Sequence, residues 1–144
     1  MGETTWTARG AATDLLTTEM NSLADAGSAI STSEFDNSTN LDLFCDLEFS
    51  LASIDLSAVN NPAVYVWFIN NLSVQEDGSG SIIPARIPDV IIPLREVSAA
   101  QVVTISRINC PNISFDTVVQ NETGVAFAGT TNILKIETYG ITTA

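Results

Sequence analysis

Apolar and polar residues alternate with a period of two through LDLFCDLEFSL, residues 41–51. Leucine, cysteine and phenylalanine share one face of this segment, and aspartate, glutamate and serine lie on the other. Such alternation is typical of a strand with one face in a core and one in water. Similar patterns return in residues 101–108, 113–120 and 132–139, with a short apolar strand at residues 125–128. The chain is therefore predicted to be mainly β.

Residues 63–69, with the sequence AVYVWFI, are apolar or aromatic without interruption. A half-exposed strand does not carry apolar residues on both faces, so this strand is predicted to be covered twice. One cover is the domain core, and the other is either an N-terminal helix or another subunit. The predicted core collects the inward-facing residues of separate strands: Leu43, Cys45, Leu47, Phe49, Val64, Val66, Phe115, Leu134 and Ile136.

The N-terminal segment shows a helical pattern instead. Thr13 can cap a helix over residues 13–26, and Gly27 can end it. Its apolar stripe consists of Leu15, Leu16, Met20 and Leu23. A helix this short is marginal alone in water and needs something to pack on. We therefore expect residues 1–30 to form an arm or helix that docks on a partner, ahead of a β-sandwich domain at residues 31–144.

Residues 76–93 combine a polar Gly-Ser turn with isoleucines and closely spaced prolines. Pro84, Pro88 and Pro93 exclude a helix and a central strand. An exposed edge or loop with so many isoleucines would be an association surface. The alternative is a long loop folded over one end of its own core, and the sequence leaves both open.

Together these segments give about eight short strands joined by turns. One turn is Asn-Glu-Thr-Gly at residues 121–124, where Gly124 is free to adopt a positive φ. The expected architecture is an antiparallel β-sandwich of the jelly-roll type with a short N-terminal helix or arm. A chain of 144 residues fits one such domain and can bury a core without disulfides or metal.

Charge and residue usage narrow the range of functions. Acidic residues outnumber basic ones by 17 to 5, histidine is absent, and the net charge is −12. Nucleic-acid binding requires a cationic surface, so it is not expected. Without histidine the usual catalytic triads are missing, and the sole lysine, Lys135, is interpreted as a surface partner of Glu137. No apolar run has the length of a membrane span, and the N-terminus lacks a signal-peptide pattern. We expect neither enzymatic activity nor membrane association.

Metal and cofactor chemistry has little support. Asp42, Asp46 and Glu48 could bind calcium along one strand face, but a solvated charged face is the commoner reason for this pattern. Cys45 and Cys110 are separated by 64 residues and complete no metal site. Two buried or half-buried thiols are expected, with a disulfide as the open alternative. We expect no cofactor, metal or catalytic site.

Four features occur in order along most of the chain. The first is a Leu-rich segment that ends near Ile30, before the alternating strand, and the second is Pro62 before the apolar strand. The third is an Asp77-Gly78 turn before the prolines. The fourth is the turn Asn121-Glu122-Thr123-Gly124, which is followed by Ala126, Ala128, Asn132, Leu134 and Tyr139. In these features the chain resembles the jelly-roll decoration or cement proteins of tailed-bacteriophage capsids. Residues 109–112, Asn-Cys-Pro-Asn, depart from the Gly- and Pro-containing turn expected there.

The resemblance implies a non-enzymatic virion protein on the capsid exterior. Such a protein binds the major capsid protein lattice, often as a homotrimer on a local threefold axis, and stabilises the shell. The candidate interface residues come from the predicted helix, the doubly covered strand and the isoleucine-rich segment: Leu15, Leu16, Met20, Leu23, Tyr65, Trp67, Ile83, Ile87 and Ile91.

Two other functions stay open. A glycan-binding jelly-roll module of a phage tail or adhesin would need an exposed aromatic side chain, and Trp6 is the available tryptophan if Trp67 is buried. A tail or connector component would form rings rather than trimers.

Overall fold

The computed structural model of the protein describes residues 2–70 and 76–143, and β-strands dominate these residues. The described strands are, in chain order, β1 (Thr4–Trp6), β2 (Thr13–Leu16), β3 (Ser28–Ile30), β4 (Phe35–Asp36), β5 (Phe44–Asp55), β6 (Ala63–Asn70), β7 (Val90–Pro93), β8 (Ser98–Asn109), β9 (Ser114–Glu122), β10 (Ile133–Tyr139) and β11 (Ile141–Thr143). A 3-10 turn at Thr18–Met20 is the one helical element of this part of the chain. The prediction of a mainly β protein is confirmed.

Two antiparallel sheets enclose the core. Sheet I has the strand order β2-β10-β5-β8, and sheet II has the order β3-β9-β6-β7, with β4 also paired to β9. A separate ribbon of β1 and β11 joins the two ends of the described chain. Neighbouring strands are therefore often far apart in sequence, and the antiparallel β-sandwich is confirmed at this level.

The core takes alternate residues from strands of both sheets. Strand β5 is paired on both sides, with β10 and with β8, so its backbone is satisfied while its apolar face is buried. Eight of the predicted core residues lie in one buried cluster: Cys45, Leu47, Phe49, Val64, Val66, Phe115, Leu134 and Ile136. Period-two alternation thus identified the inward face of β5, β9 and β10 correctly.

Leu43 is the exception, because its side chain is 47% exposed. The alternation suggests a strand from residue 41, but β5 begins only at Phe44. The side chain of Asn37 accepts a hydrogen bond from the Asp42 N–H at 3.0 Å and donates to the Asp42 carbonyl at 2.9 Å. Leu41 has a φ of 53°. These contacts hold the chain in a turn, so the alternation before Phe44 does not correspond to strand geometry.

The predicted helix over residues 13–26 is wrong. This segment instead forms β2, the 3-10 turn and a series of bends. β2 hydrogen-bonds to the outer edge of β10, with Leu16 opposite Leu134. Thr13, Thr17 and Thr18 are β-branched and favour extended backbone over helix. Edge pairing satisfies the exposed backbone of β10 as well, which a packed helix would leave unpaired.

The N-terminal segment also contributes to both sheets. β3 pairs with β9 in sheet II, while β2 lies in sheet I. Leu16 and Met20 are buried in the main core at 1% and 0% exposure. Residues 13–30 are therefore part of the sandwich, and not an arm that precedes it.

The short strand expected at residues 125–128 is not formed. Its backbone groups bond to side chains and to the N-terminal segment. Asn121 Nδ2 donates to the Val125 carbonyl at 2.8 Å, and the Phe127 N–H donates to the Leu23 carbonyl at 2.9 Å. The expected turn before this segment is present, because Gly124 has a φ of 76°.

Candidate docking surfaces

Residues 76–89, called here the strap, cross the outer face of sheet II. At one end the Ser28 hydroxyl of β3 donates to the Ser79 carbonyl at 3.1 Å. At the other end the Asp89 carboxylate accepts the Phe68 N–H at 2.7 Å, and the Asp89 N–H donates to the Val66 carbonyl at 2.9 Å. The strap is therefore tied to the first strand of the sheet and to β6.

Arg86 bonds the strap to the sheet and also links the two ends of the strap to each other. Its guanidinium donates to Glu76 at 2.6 Å, to Asp89 at 2.8 Å and to the Phe68 carbonyl at 2.8 Å. The hydrogen bond to Glu76 raises the pKa of Arg86 above its ordinary value, and Asp89 adds to this against the opposing effect of burial. One planar cation thereby bonds two carboxylates and a backbone carbonyl, which a lysine could not do in the same geometry.

The strap covers the second apolar face of β6. Trp67, Ile69 and Val118 form a small buried cluster on this outer face. The Trp67 indole N–H donates to the Arg86 carbonyl at 3.0 Å. A Cβ at Gly78 would lie 2.9 Å from Ile69 Cδ1, so glycine is what allows the strap to approach. The strand is covered twice as predicted, but its second cover is the strap and not an N-terminal helix or another subunit.

The strap also exposes isoleucines. Ile82, Ile83 and Ile87 are 55%, 42% and 84% exposed, and Ile91 of β7, the strand that follows the strap, is 52% exposed. We call these four residues the isoleucine surface. The segment therefore folds over its own sheet, close to one alternative from the sequence, and leaves these isoleucines exposed. Their role as an association surface stays a prediction.

The nine predicted interface residues divide by burial. Leu15, Leu16, Met20 and Trp67 are buried within the protein itself and cannot meet a partner while the sandwich is intact. Leu23 is half-buried against the core, and Tyr65 is half-buried beside the Trp67 ring. Ile83, Ile87 and Ile91 remain exposed. The four buried residues were assigned to an interface because an apolar pattern predicts that a side chain is buried, but not which segment or subunit covers it.

A second exposed feature lies at the β1–β11 ribbon. The Trp6 ring lies 5.8 Å from both Phe44 and Tyr139, yet Trp6 is 58% exposed. The Arg9 guanidinium lies 4.4 Å above the Tyr139 ring. A cavity of about 220 Å³ is lined by Trp6, Thr7, Arg9, Arg107 and Tyr139. We call it the Trp6 pocket.

Asp46 organises the charged groups under this pocket. Its carboxylate accepts hydrogen bonds from Arg9, from the Tyr139 hydroxyl at 2.9 Å and from the Arg107 N–H at 3.0 Å. Burial favours a raised pKa for Asp46, but these hydrogen bonds, with Arg9 foremost, outweigh it and lower the pKa below the ordinary value. Arg9 also bonds Glu137 at 3.2 Å, so Glu137 has a partner other than the expected Lys135.

The carboxylates considered for calcium do not converge on one point. Asp46 is committed to Arg9, Tyr139 and Arg107. Across residues 2–70 and 76–143, no group of three or more His, Cys, Asp or Glu side chains is arranged to hold a metal ion. The carboxylates of the β5 surface are thus used for internal pairing or lie in solvent.

Among the described residues, no helix is long and apolar enough to span a membrane. No protein-family model matches the chain, and no curated protein matches it in sequence.

Proposed function

We propose that this protein is a jelly-roll decoration protein that binds the exterior of a tailed-bacteriophage capsid and stabilises the major capsid protein lattice, without a catalytic role. The fold supports this proposal. The strand orders β2-β10-β5-β8 and β3-β9-β6-β7 agree with the interleaved arrangement of an eight-stranded jelly roll. β1, β4 and β11 are additions to that arrangement.

The isoleucine surface is the observation that carries the docking proposal. Four large apolar side chains lie exposed, three on a strap fixed by Arg86 and one on β7, the strand that follows it. A fixed apolar surface loses little conformational entropy when it binds, which favours affinity. Apolar patches of this kind are typical of protein interaction sites.

Net charge suits the same role. At −12, free copies of the protein repel one another and stay soluble until a complementary lattice is present. Repeated sites on a lattice then add multivalency, since a bound trimer raises the effective concentration of each further contact. The homotrimer rests on the sequence resemblance.

The decisive experiment adds purified protein to capsids that lack it. The double variant Ile83→Asp/Ile87→Asp should lose binding, because both side chains are exposed and carry the proposed contact. Val102→Asp is the matched control, since Val102 is 66% exposed on β8 of sheet I, away from the strap. Circular dichroism should show the same fold for all three proteins. Equal binding by the double variant and the wild type would overturn the isoleucine surface as the docking site.

Location in the virion is a separate test. Attachment that is mainly apolar and multivalent should survive a high-salt wash, whereas a purely ionic contact would weaken steeply. Cryo-electron microscopy of washed virions should show the protein on the outer capsid surface. Density only at the tail, or none at all, would contradict the proposal.

A glycan-binding role is the second candidate, and the Trp6 pocket favours it. Its exposed indole is held in place by Phe44 and Tyr139, so it offers a flat apolar surface beside Arg9 and Arg107. A glycan array should then report binding that Trp6→Ala removes and Ile87→Asp leaves intact. An empty array would leave capsid docking as the remaining function.

A further inference from the structure

The two cysteines of the chain lie side by side. Cys45 and Cys110 are the only cysteines among 144 residues, and 64 residues separate them in sequence. Both are buried, at 0% and 9% exposure, and both belong to the main core cluster. Cys45 lies in β5, and Cys110 directly follows β8, the strand that pairs with β5. Neither has a role in the docking surfaces described above.

The sheet register explains this proximity. Cys45 of β5 lies opposite Ile108 of β8, and the Cys110 N–H donates to the Leu43 carbonyl at 3.0 Å. Cys110 therefore stands two positions beyond the direct partner of Cys45, at the diagonal position across the two strands. Both side chains are buried in the same core cluster, so both face the core. Cys110 also lies just past the end of β8, before Pro111, where a small backbone adjustment does not break the strand pairing.

The two thiols differ in their surroundings. Asn37 Nδ2 donates to Cys110 Sγ at 3.4 Å. The contact with Cys45 lowers the pKa of Cys110, although burial opposes this, and the same contact together with burial raises the pKa of Cys45. Cys110 is thus the thiol that ionises first, and it is also the more exposed of the two.

We propose that Cys45 and Cys110 form an intramolecular disulfide when the protein meets a low-molecular-weight disulfide such as oxidised glutathione. The Cys110 thiolate attacks one sulfur of that reagent, whose sulfur–sulfur bond breaks to release one glutathione thiolate. Cys45, after giving its proton to solvent, attacks the Cys110 sulfur of the mixed disulfide and releases the second glutathione. Two protein thiols are oxidised, and one glutathione disulfide is reduced to two glutathiones.

The bridge would tie the start of β5 to the segment after β8. Closing a loop of this length restricts the unfolded chain, so the oxidised protein should be the more stable form. We expect its thermal unfolding midpoint to be higher than that of the reduced protein by roughly 5–15 °C. The inference is independent of capsid or glycan binding.

The experiment uses the full-length wild-type protein. It is incubated with oxidised or reduced glutathione, unfolded in an alkylating reagent, and measured by intact and peptide mass spectrometry. The expected product is a monomer that has lost two hydrogens, resists alkylation at both cysteines and yields one peptide pair joining Cys45 to Cys110. A stable glutathione adduct, a disulfide-linked dimer, or two free thiols after incubation would each overturn the proposal.

Two variants test the order of the steps. Cys45→Ala should accumulate the glutathione adduct at Cys110, because the second thiol is missing. Cys110→Ala should react much more slowly, because Cys45 is fully buried. Equal adduct formation in both variants would contradict the assignment of Cys110 as the attacking thiol. The mass measurement on wild-type protein stands even if a variant folds poorly.

Discussion

Phe49 shows at the level of one residue how the sandwich is held together. Its side chain is fully buried at the centre of β5, and its ring lies 6.0 Å from that of Phe127. Its backbone neighbours are Leu134 in β10 and Val103 in β8. Phe49 is therefore paired with the neighbouring strand on each side of β5, and its ring packs in the core.

Replacement Phe49→Ala should lower the free energy of unfolding by about 3–5 kcal/mol, because it removes a buried ring and leaves a cavity. Urea denaturation followed by tryptophan fluorescence measures this. Val102→Ala is the control, with a change of at most about 0.5 kcal/mol expected for an exposed side chain. A loss below about 1 kcal/mol at Phe49 would mean that the core collapses around the missing ring.

Asp46 makes stability depend on pH. The pKa of Asp46 is lower in the folded state than in the unfolded state, where it is about 4. The ionised carboxylate therefore stabilises the fold in full at any pH above the unfolded-state pKa. That contribution is lost as the pH falls through the lower, folded-state pKa. Asp46→Asn should therefore be less stable than the wild type at neutral pH, and the difference should shrink below about pH 4.

Urea titrations at several pH values check this prediction. Asp77→Asn supplies a control, because Asp77 is an exposed carboxylate of the strap outside the Asp46 network. A gap between wild type and Asp46→Asn that stays constant down to pH 2 would show that the carboxylate charge is not responsible.

At the scale of elements, the N-terminal segment matters most. β2 closes one edge of sheet I and β3 one edge of sheet II, while Leu16 and Met20 fill space between the sheets. A short amphipathic segment can bury its apolar residues either as a helix or as two edge strands. Here the unpaired edges of β10 and β9 favour strands, because backbone hydrogen bonds are gained on both partners.

Deletion of residues 1–30 should therefore abolish cooperative unfolding, since both sheets lose an edge strand and the core loses two large side chains. Deletion of residues 1–8 should retain a folded sandwich, because it removes β1 and Trp6 but keeps β2 and Arg9. Near-ultraviolet circular dichroism and thermal melts distinguish these outcomes. A cooperative melt in the longer deletion would restore the view of residues 1–30 as a separate arm.

At the scale of the whole molecule, charge opposes compaction. The net charge is −12, and the ion pairs within the described residues involve Arg9 and Arg86. Acidic side chains outnumber basic ones by 17 to 5, so carboxylates repel one another across the surface. Self-repulsion of this kind destabilises a folded state.

Added salt should raise the thermal unfolding midpoint. The Debye length falls from about 30 Å at 0.01 M to about 8 Å at 0.15 M, so carboxylate repulsion is screened over that range. Differential scanning calorimetry in sodium chloride measures the increase, and potassium chloride at equal ionic strength should give the same result. A midpoint that is flat or falls with salt would mean that attractive ion pairs dominate.

Part of the docking surfaces could be predicted from the sequence. The isoleucine-rich segment was predicted to be an irregular segment or edge because its prolines exclude a helix and a central strand. Its isoleucines were expected to be buried, either against the protein's own core or against a partner. Exposure of Ile83, Ile87 and Ile91 agrees with one of the two alternatives. The role of Arg86 was not predicted, because its partners Glu76 and the Phe68 carbonyl are brought together only by the crossing of the strap over β6.

The sequence alone determined where the long strands β5, β6, β8, β9 and β10 lie, and most of the core. Side chains on a strand alternate between faces, so a period of two reports the buried face without knowledge of any partner. Only the tertiary structure decided what covers each apolar face. Three features depend on segments distant in sequence: β2 in place of a helix, the strap over Trp67, and the approach of Cys110 to the start of β5. Local patterns show that a residue is buried, whereas strand pairing and sheet packing determine its neighbours.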